Sequence, residues 1–155
     1  MQKDKESIKS AFKKRMYGFE LKLIEFIDTL PNDNVSRRIG DQLLRGGTSV
    51  LGNYVEAQSA ASKKEFVNYF NISLRSTNES KLWLALLRDS NRVKYESVKW
   101  FLCELDEFSK IFASSILTAK GKRTICYLLF ALGRAYVIIG DWFDRDRYGK
   151  DAVWD

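Results

Sequence analysis

Residues 49–84 read SVLGNYVEAQSAASKKEFVNYFNISLRSTNESKLWL, and this stretch decides the fold. It begins inside one helix, crosses a short polar turn at QSAAS (58–62) and runs through the next helix. Ser62, with Glu65 three residues on, makes an S-x-x-E capping box, in which the two side chains satisfy free N–H groups at a helix start. Phe66, Tyr69, Phe70 and Leu74 then recur at helical spacing. Ser49, Asn53, Ser73 and Asn78 fall among the aromatics, where a packed helix pair ordinarily carries Leu and Val. That pattern predicts a specific polar interface between two helices.

The flanking sequence extends the same reading. Ile8, Phe12, Met16, Phe19, Leu23, Ile27 and Leu30 form one apolar stripe, predicting a first helix over about residues 4–30 that Pro31, Asn32, Asp33 and Asn34 bring to a stop. The second helix starts near Val35 or Ser36 and runs to about Ala57, with Ile39, Leu43, Val50 and Tyr54 inward. Gly46 and Gly47 interrupt it. Each glycine costs up to about 1 kcal/mol relative to alanine in a helix, so the pair either permits close helix approach or marks a kink. The third helix continues to about Arg88, and Asp89, Ser90 and Asn91 form the next turn. The fourth runs from about Tyr95 to Ala119 on a stripe of Val98, Phe101, Leu102, Leu105, Phe108, Phe112 and Ile116, with Gly121 as its stop. Four long helices joined by short turns predict an all-α, antiparallel up-down-up-down four-helix bundle over residues 4–123.

Residues 124–155 form a C-terminal extension of different composition. ICYLLFALGRAYVIIG (125–140) is nearly all apolar, and DWFDRDRYGKDAVWD (141–155) alternates aromatics with charges. A membrane span needs about 20 apolar residues, and this run is shorter and holds Gly133 and Arg134. The expectation is therefore no membrane span, but a helix packed on the bundle or on a neighbouring subunit. Such a helix is apolar all round, so one face stays uncovered on a monomer, which predicts a homo-oligomer. The extension reads equally as native sequence or as the product of an altered reading frame. The start, MQKDKESIKSAFKKR, lacks the apolar core of a signal peptide, so a cytoplasmic location is expected.

The chain has no histidine, which removes His-based acid–base catalysis and His-ligated metals. Cys103 and Cys126 have no C-x-x-C spacing and are expected to be buried thiols. No phosphate-cradling glycine loop or nucleophile–base pair is recognisable. The reading is a non-enzyme with no catalytic, cofactor-binding or metal-binding residues. Ser49, Asn53, Glu56, Ser73 and Glu79 are read instead as a structural polar network that fixes helix register.

Lys and Arg number 26 against 20 Asp and Glu, giving a net charge of +6 and a pI near 9.3. Residues 124–155 contribute −1 to this, leaving +7 on the bundle. The excess favours a polyanionic partner. The candidate nucleic-acid-binding residues are Lys13, Lys14, Arg15, Arg37, Arg38, Lys63, Lys64, Lys120, Lys122 and Arg123. Antiparallel packing would gather Lys63, Lys64, Lys120, Lys122 and Arg123 at one pole with Lys3 and Lys5. A solvated basic rim is an equal reading of the same charges. Trp83, Trp100, Tyr69 and Tyr95 could stack on bases, although packing in a core or subunit interface is the commoner fate of such rings.

The spacing across helices two and three resembles the small four-helix-bundle family first noticed in intervening sequences of 23S ribosomal RNA genes. The family pattern Ser-(Val/Ile)-x-x-Asn-x-x-Glu is met by Ser49, Val50, Asn53 and Glu56. Its Ser-x-x-Glu-Phe turn is met by Ser62, Glu65 and Phe66, and its third-helix small residues and acid by Ser73, Ser76 and Glu79. The likeness covers about residues 7–120. Ala57 stands where many members have glycine, and the extension from residue 124 has no counterpart in the pattern. The resemblance implies an all-α bundle that often assembles into rings. It also implies kinship with the accessory variability determinant of diversity-generating retroelements, a basic pentamer that binds a reverse transcriptase and its template RNA. From resemblance and charge together, the expected role is a homo-oligomeric accessory protein binding RNA rather than DNA, with a reverse transcriptase as protein partner. The alternative is a protein-binding scaffold with no nucleic-acid role.

Overall fold

The computed structural model describes residues 2–121, and side chains from Lys9 onward. Its elements are α1 (Gln2–Asp28), α2 (Asn34–Gln58), α3 (Lys63–Asp89) and α4 (Tyr95–Ala119), with no strand among the described residues. The chain is an all-α four-helix bundle in which α2 packs on α1 and α3, and α3 packs on α4. The expected extension at 124–155 lies outside the described residues.

Local chemistry sets each boundary. α1 ends at Asp28, two residues short of the expected stop, because Thr29 and Leu30 already turn back onto the carbonyls of Phe26 and Ile27. Asp33 caps α2: its Oδ1 accepts from the Val35 and Ser36 N–H groups at 2.9 and 3.0 Å, and its Oδ2 from the Ser36 hydroxyl at 2.6 Å. The helix thus begins a residue earlier than the hydrophobic pattern implies. The capping box of α3 forms with its return bond shifted by one residue, Ser62 Oγ accepting from the Glu65 N–H at 3.1 Å. Glu65 Oε2 reaches back to the Ala61 N–H at 2.8 Å. After α3, Asn91 takes a left-handed conformation (φ 56°) that tightens the turn. Beyond α4, Gly121 does the same at φ 77°, where a side chain would be strained.

The core is built from the predicted stripes. Met16, Phe19, Leu23, Leu43, Val50, Tyr54, Phe70, Val98, Phe101, Leu105, Phe108, Phe112 and Ile116 are buried. Phe26, Leu84 and Leu87 join them although the periodic reading passed them over. Gly46 and Gly47 do not break α2, which runs continuously from Asn34 to Gln58. They serve close approach: a Cβ on Gly46 would stand 2.5 Å from Ser80 Oγ, and one on Gly47 would stand 2.5 Å from Glu20 Oε2. Cys103 corrects an expectation, because it is exposed on α4. Its place outside the apolar stripe of that helix leaves it facing solvent. Cys126 lies outside the described residues.

Candidate nucleic-acid interface

Two faces of the bundle differ in chemistry, and together they position the candidate residues. The first is the α2–α3 seam. Ser49 Oγ and Ser76 Oγ share a hydrogen bond at 2.9 Å. Asn53 Nδ2 donates to the Ser49 carbonyl and hydroxyl at 2.8 and 3.2 Å. Ser73 Oγ donates to the Val50 carbonyl across the seam at 3.1 Å. Thr77, fully buried, donates to the Ser73 carbonyl at 2.7 Å. Of the other two residues read into this network, Glu79 on α3 crosses the edge of the seam, where its carboxylate pairs with Arg45 of α2 at 3.0 Å. Glu56 is exposed on α2 and stands apart from the network.

The second is the α1–α4 face, which is aromatic. Phe12 meets Phe108 edge-on, with centroids 5.6 Å apart. Phe19 meets Phe101 and Phe108 in the same way at 5.6 and 5.3 Å and stacks beside Trp100. Phe26 lies 5.1 Å from Phe101. Arg15 straps the outside: Nε and Nη2 each donate to Glu104 at 2.8 Å, while the guanidinium lies over the Phe108 ring. That carboxylate raises the Arg15 pKa further above its ordinary value. Lys22 Nζ sits 4.2 Å from the Trp100 centroid.

The remaining basic candidates divide between the two ends. Lys63 and Lys64 open α3, and Lys120 closes α4, at the pole where α1 begins and α2 ends. A hydrogen bond from Tyr54 Oη to the Lys9 carbonyl ties the last turns of α2 to the first described side chains of α1. Lys13, Lys14, Lys63, Lys64 and Lys120 are exposed and form no ion pair with another described residue. Arg37 and Arg38 lie at the opposite pole, where they donate to Asn32 and Asn34. Lys122 and Arg123 lie outside the described residues. Of the candidate rings, Trp100 is exposed at one edge, while Tyr69, Trp83 and Tyr95 are half-buried.

Two charged residues that the sequence reading missed are nine-tenths buried or more. Lys81 on α3 is 3 % exposed, 3.6 Å from Asp106 Oδ1 on α4, and burial lowers its pKa more than that carboxylate raises it. Glu20 on α1 is 6 % exposed, and burial pushes its pKa up to about 7. The signal for Glu20 was present, since it falls between Met16 and Leu23 at helical spacing, inside the apolar stripe.

The profile of the 23S rRNA-intervening sequence proteins matches residues 9–114, the bundle from the first described side chains to the last turns of α4. The chain belongs to this family. A solved structure similar to it is a protein of unknown function from the S23 ribosomal protein family of Bacteroides thetaiotaomicron VPI-5482. The two are 30 % identical, with a TM-score of 0.63, over 67 % of this chain and 96 % of the Bacteroides chain. No curated protein matches. Among the described residues of this 23S rRNA-intervening sequence protein, no helix is long and apolar enough to cross a membrane.

Proposed function

We propose that this chain is a non-catalytic, homo-oligomeric accessory protein that binds RNA through the pole formed by the starts of α1 and α3 and the ends of α2 and α4. The observation that carries the reading is the set of exposed cations there. Lys63, Lys64 and Lys120, with Lys13 and Lys14 further along α1, carry no internal counter-charge among the described residues. Charges left unneutralised on a protein of net +6 are what a phosphate backbone replaces counterions with. Arg15 contributes less, because Glu104 already holds its guanidinium. Tyr17, Leu21 and Ile24 line the outer flank of α1, and with Leu44 of α2 they expose large apolar side chains that support assembly. A ring would repeat one weak pole several-fold, so that modest contacts add up. A reverse transcriptase is the protein partner that the resemblance supplies for such a complex.

The test is binding of the full-length chain to a structured RNA across a salt series, with light scattering for the number of chains per particle. Affinity should fall steeply with salt. Replacing Lys63, Lys64, Lys120, Lys122 and Arg123 by glutamine should remove most of the binding and flatten the salt slope, with helicity unchanged. Unaltered binding would overturn the assignment to this pole. No binding by the wild type favours the protein-scaffold alternative.

A further inference from the structure

Glu20 occupies a position that packing alone does not require. It projects from α1 into the seam with α2, and its Oε2 is buried without a hydrogen-bond partner. It reaches that depth because residue 47 is glycine. Any Cβ there would fall 2.5 Å from Oε2, 3.1 Å from Oε1 and 2.7 Å from Leu23 Cδ2. The carboxyl therefore lies directly on bare helix backbone.

The surroundings hold nothing to balance a negative charge. From α2, the residues turned toward α1 are Gly40, Leu43, Gly47 and Val50. Tyr54 is the one titratable group among that helix's buried residues, and its hydroxyl donates to the Lys9 carbonyl, about two turns away. α3 offers Thr77, which bonds within its own helix, and Ser80, whose hydroxyl has no partner. Its buried Lys81 is drawn to Asp106 of α4. α4 offers Leu105 and Phe108, and its Glu104 is held by Arg15 on the flank of α1 turned toward α4. On α1 itself, Met16, Tyr17, Leu23 and Ile24 lie one turn either side of Glu20. Desolvation is accordingly the sole cause of the raised pKa.

The helix that carries this group also keeps its backbone farthest from its neighbours. α1 has fewer close backbone approaches to its neighbours than α2, α3 or α4, and very few to α4. We propose that the Glu20 carboxyl, seated on the Gly47 backbone, is a proton-operated latch between α1 and α2. Protonated, it is a neutral group that the seam accepts, and α1 stays docked on α2. Ionised, it is an uncompensated charge in an apolar seam, and its Oε2 regains water only when α1 moves away. The device is then closed in mild acid and relaxed above neutrality.

Hydrogen exchange of the full chain as a function of pH tests this, with protection factors corrected for intrinsic exchange. If opening frees the carboxyl, the opening constant of the α1 amides should rise about tenfold per pH unit between about pH 5 and 7, then level off. The α2 and α3 amides around Ser49, Ser73 and Ser76 should not follow it. Glu20→Gln and Glu20→Met should each abolish the pH dependence in α1. The latch is overturned if the wild type shows the same flat profile as the variants, or if all four helices change together. Should neither variant fold, the 13C shift of the Glu20 side-chain carboxyl in the wild type decides. A titration midpoint near neutrality supports the latch, and one in the ordinary glutamate range overturns it.

Discussion

The two sides of this bundle hold helices together by different means. Between α2 and α3, glycine and small hydroxyl residues let the backbones approach closely, and the side chains bond across the gap or back to the helix. Between α1 and α4, phenylalanine rings stand the helices apart and fill the space edge-on. Small residues give geometric uniqueness, because each hydroxyl has one partner in one register. Rings give mass, because each buries a large apolar area in many similar arrangements. A bundle built this way has one seam that specifies and one face that stabilises. α1 closes the bundle on the stabilising side, held by rings and the Arg15–Glu104 pair rather than by close backbone approach.

The comparison predicts its largest effect on the aromatic face. Phe108 is buried, meets Phe12 and Phe19 edge-on, and lies beneath the Arg15 guanidinium. Phe108→Ala should lower stability by about 3–5 kcal/mol, measured by urea denaturation. A loss near 1 kcal/mol would mean that α1 and α4 collapse into the void, and that the face is adaptable.

Next comes the acid group in the seam of α1. Below its ordinary pKa of 4.5, Glu20 is protonated in both the folded and the unfolded chain. As pH rises toward about 7, the folded state keeps a proton that the unfolded chain has released, so stability falls through that window. Above it the loss is complete, on the order of 3 kcal/mol. Subtracting the profile of Glu20→Gln from that of the wild type isolates this contribution from other carboxylates. A difference profile that is flat from pH 4.5 to 7 would place the group in water.

The glycine pair separates approach from flexibility. Gly47→Ala gains about 1 kcal/mol of helix propensity. It meets both the Glu20 carboxyl and Leu23, an overpacking that costs about 1–3 kcal/mol. A net destabilisation is expected by thermal melting. Gly46→Ala meets chiefly the Ser80 hydroxyl, so combining it with Ser80→Ala should restore what the single change loses. A double variant that is no better than Gly46→Ala alone would assign the glycine to something other than the approach of α3.

The sequence disclosed the fold because period and punctuation agree in it. Pro31, the Ser62–Glu65 box and Gly121 bracket stripes that the structure buries. It disclosed the seam as well, through Ser49, Asn53 and Ser73 among the aromatics, whereas Asn78, read into the same seam, turns to α4 and accepts from Ser109 Oγ at 3.2 Å. The acids divide: Glu79 joins the seam at its edge, where its longer side chain pairs with Arg45 of α2, while Glu56 keeps helical spacing with the seam but faces water. Glu20 was hidden by its type: a glutamate in an amphipathic helix is read as solvent-facing even inside the stripe between Met16 and Leu23, and the glycine opposite, on another helix, supplies the space that receives it. Lys81 is concealed in the same way by Asp106 of α4. The pairing of distant residues is the information that a one-dimensional periodic reading does not contain.

The smallest effect tests which property of the small residues matters. Ser73 is fully buried, and its hydroxyl donates to the Val50 carbonyl, which α2 also uses in its own hydrogen-bond ladder. Ser73→Ala removes one donor, leaves that carbonyl otherwise satisfied and opens almost no space. The cost should be about 1 kcal/mol, partly offset by the better helix propensity of alanine. Ser73→Val makes the site apolar and adds bulk in the fully buried seam, and should cost about 1–3 kcal/mol through overpacking. If size is what the seam selects, chemical denaturation will rank valine well below alanine. If the hydrogen bond is what it selects, the two variants will fall together, and Ser73→Thr, which retains the donor, will stand above both.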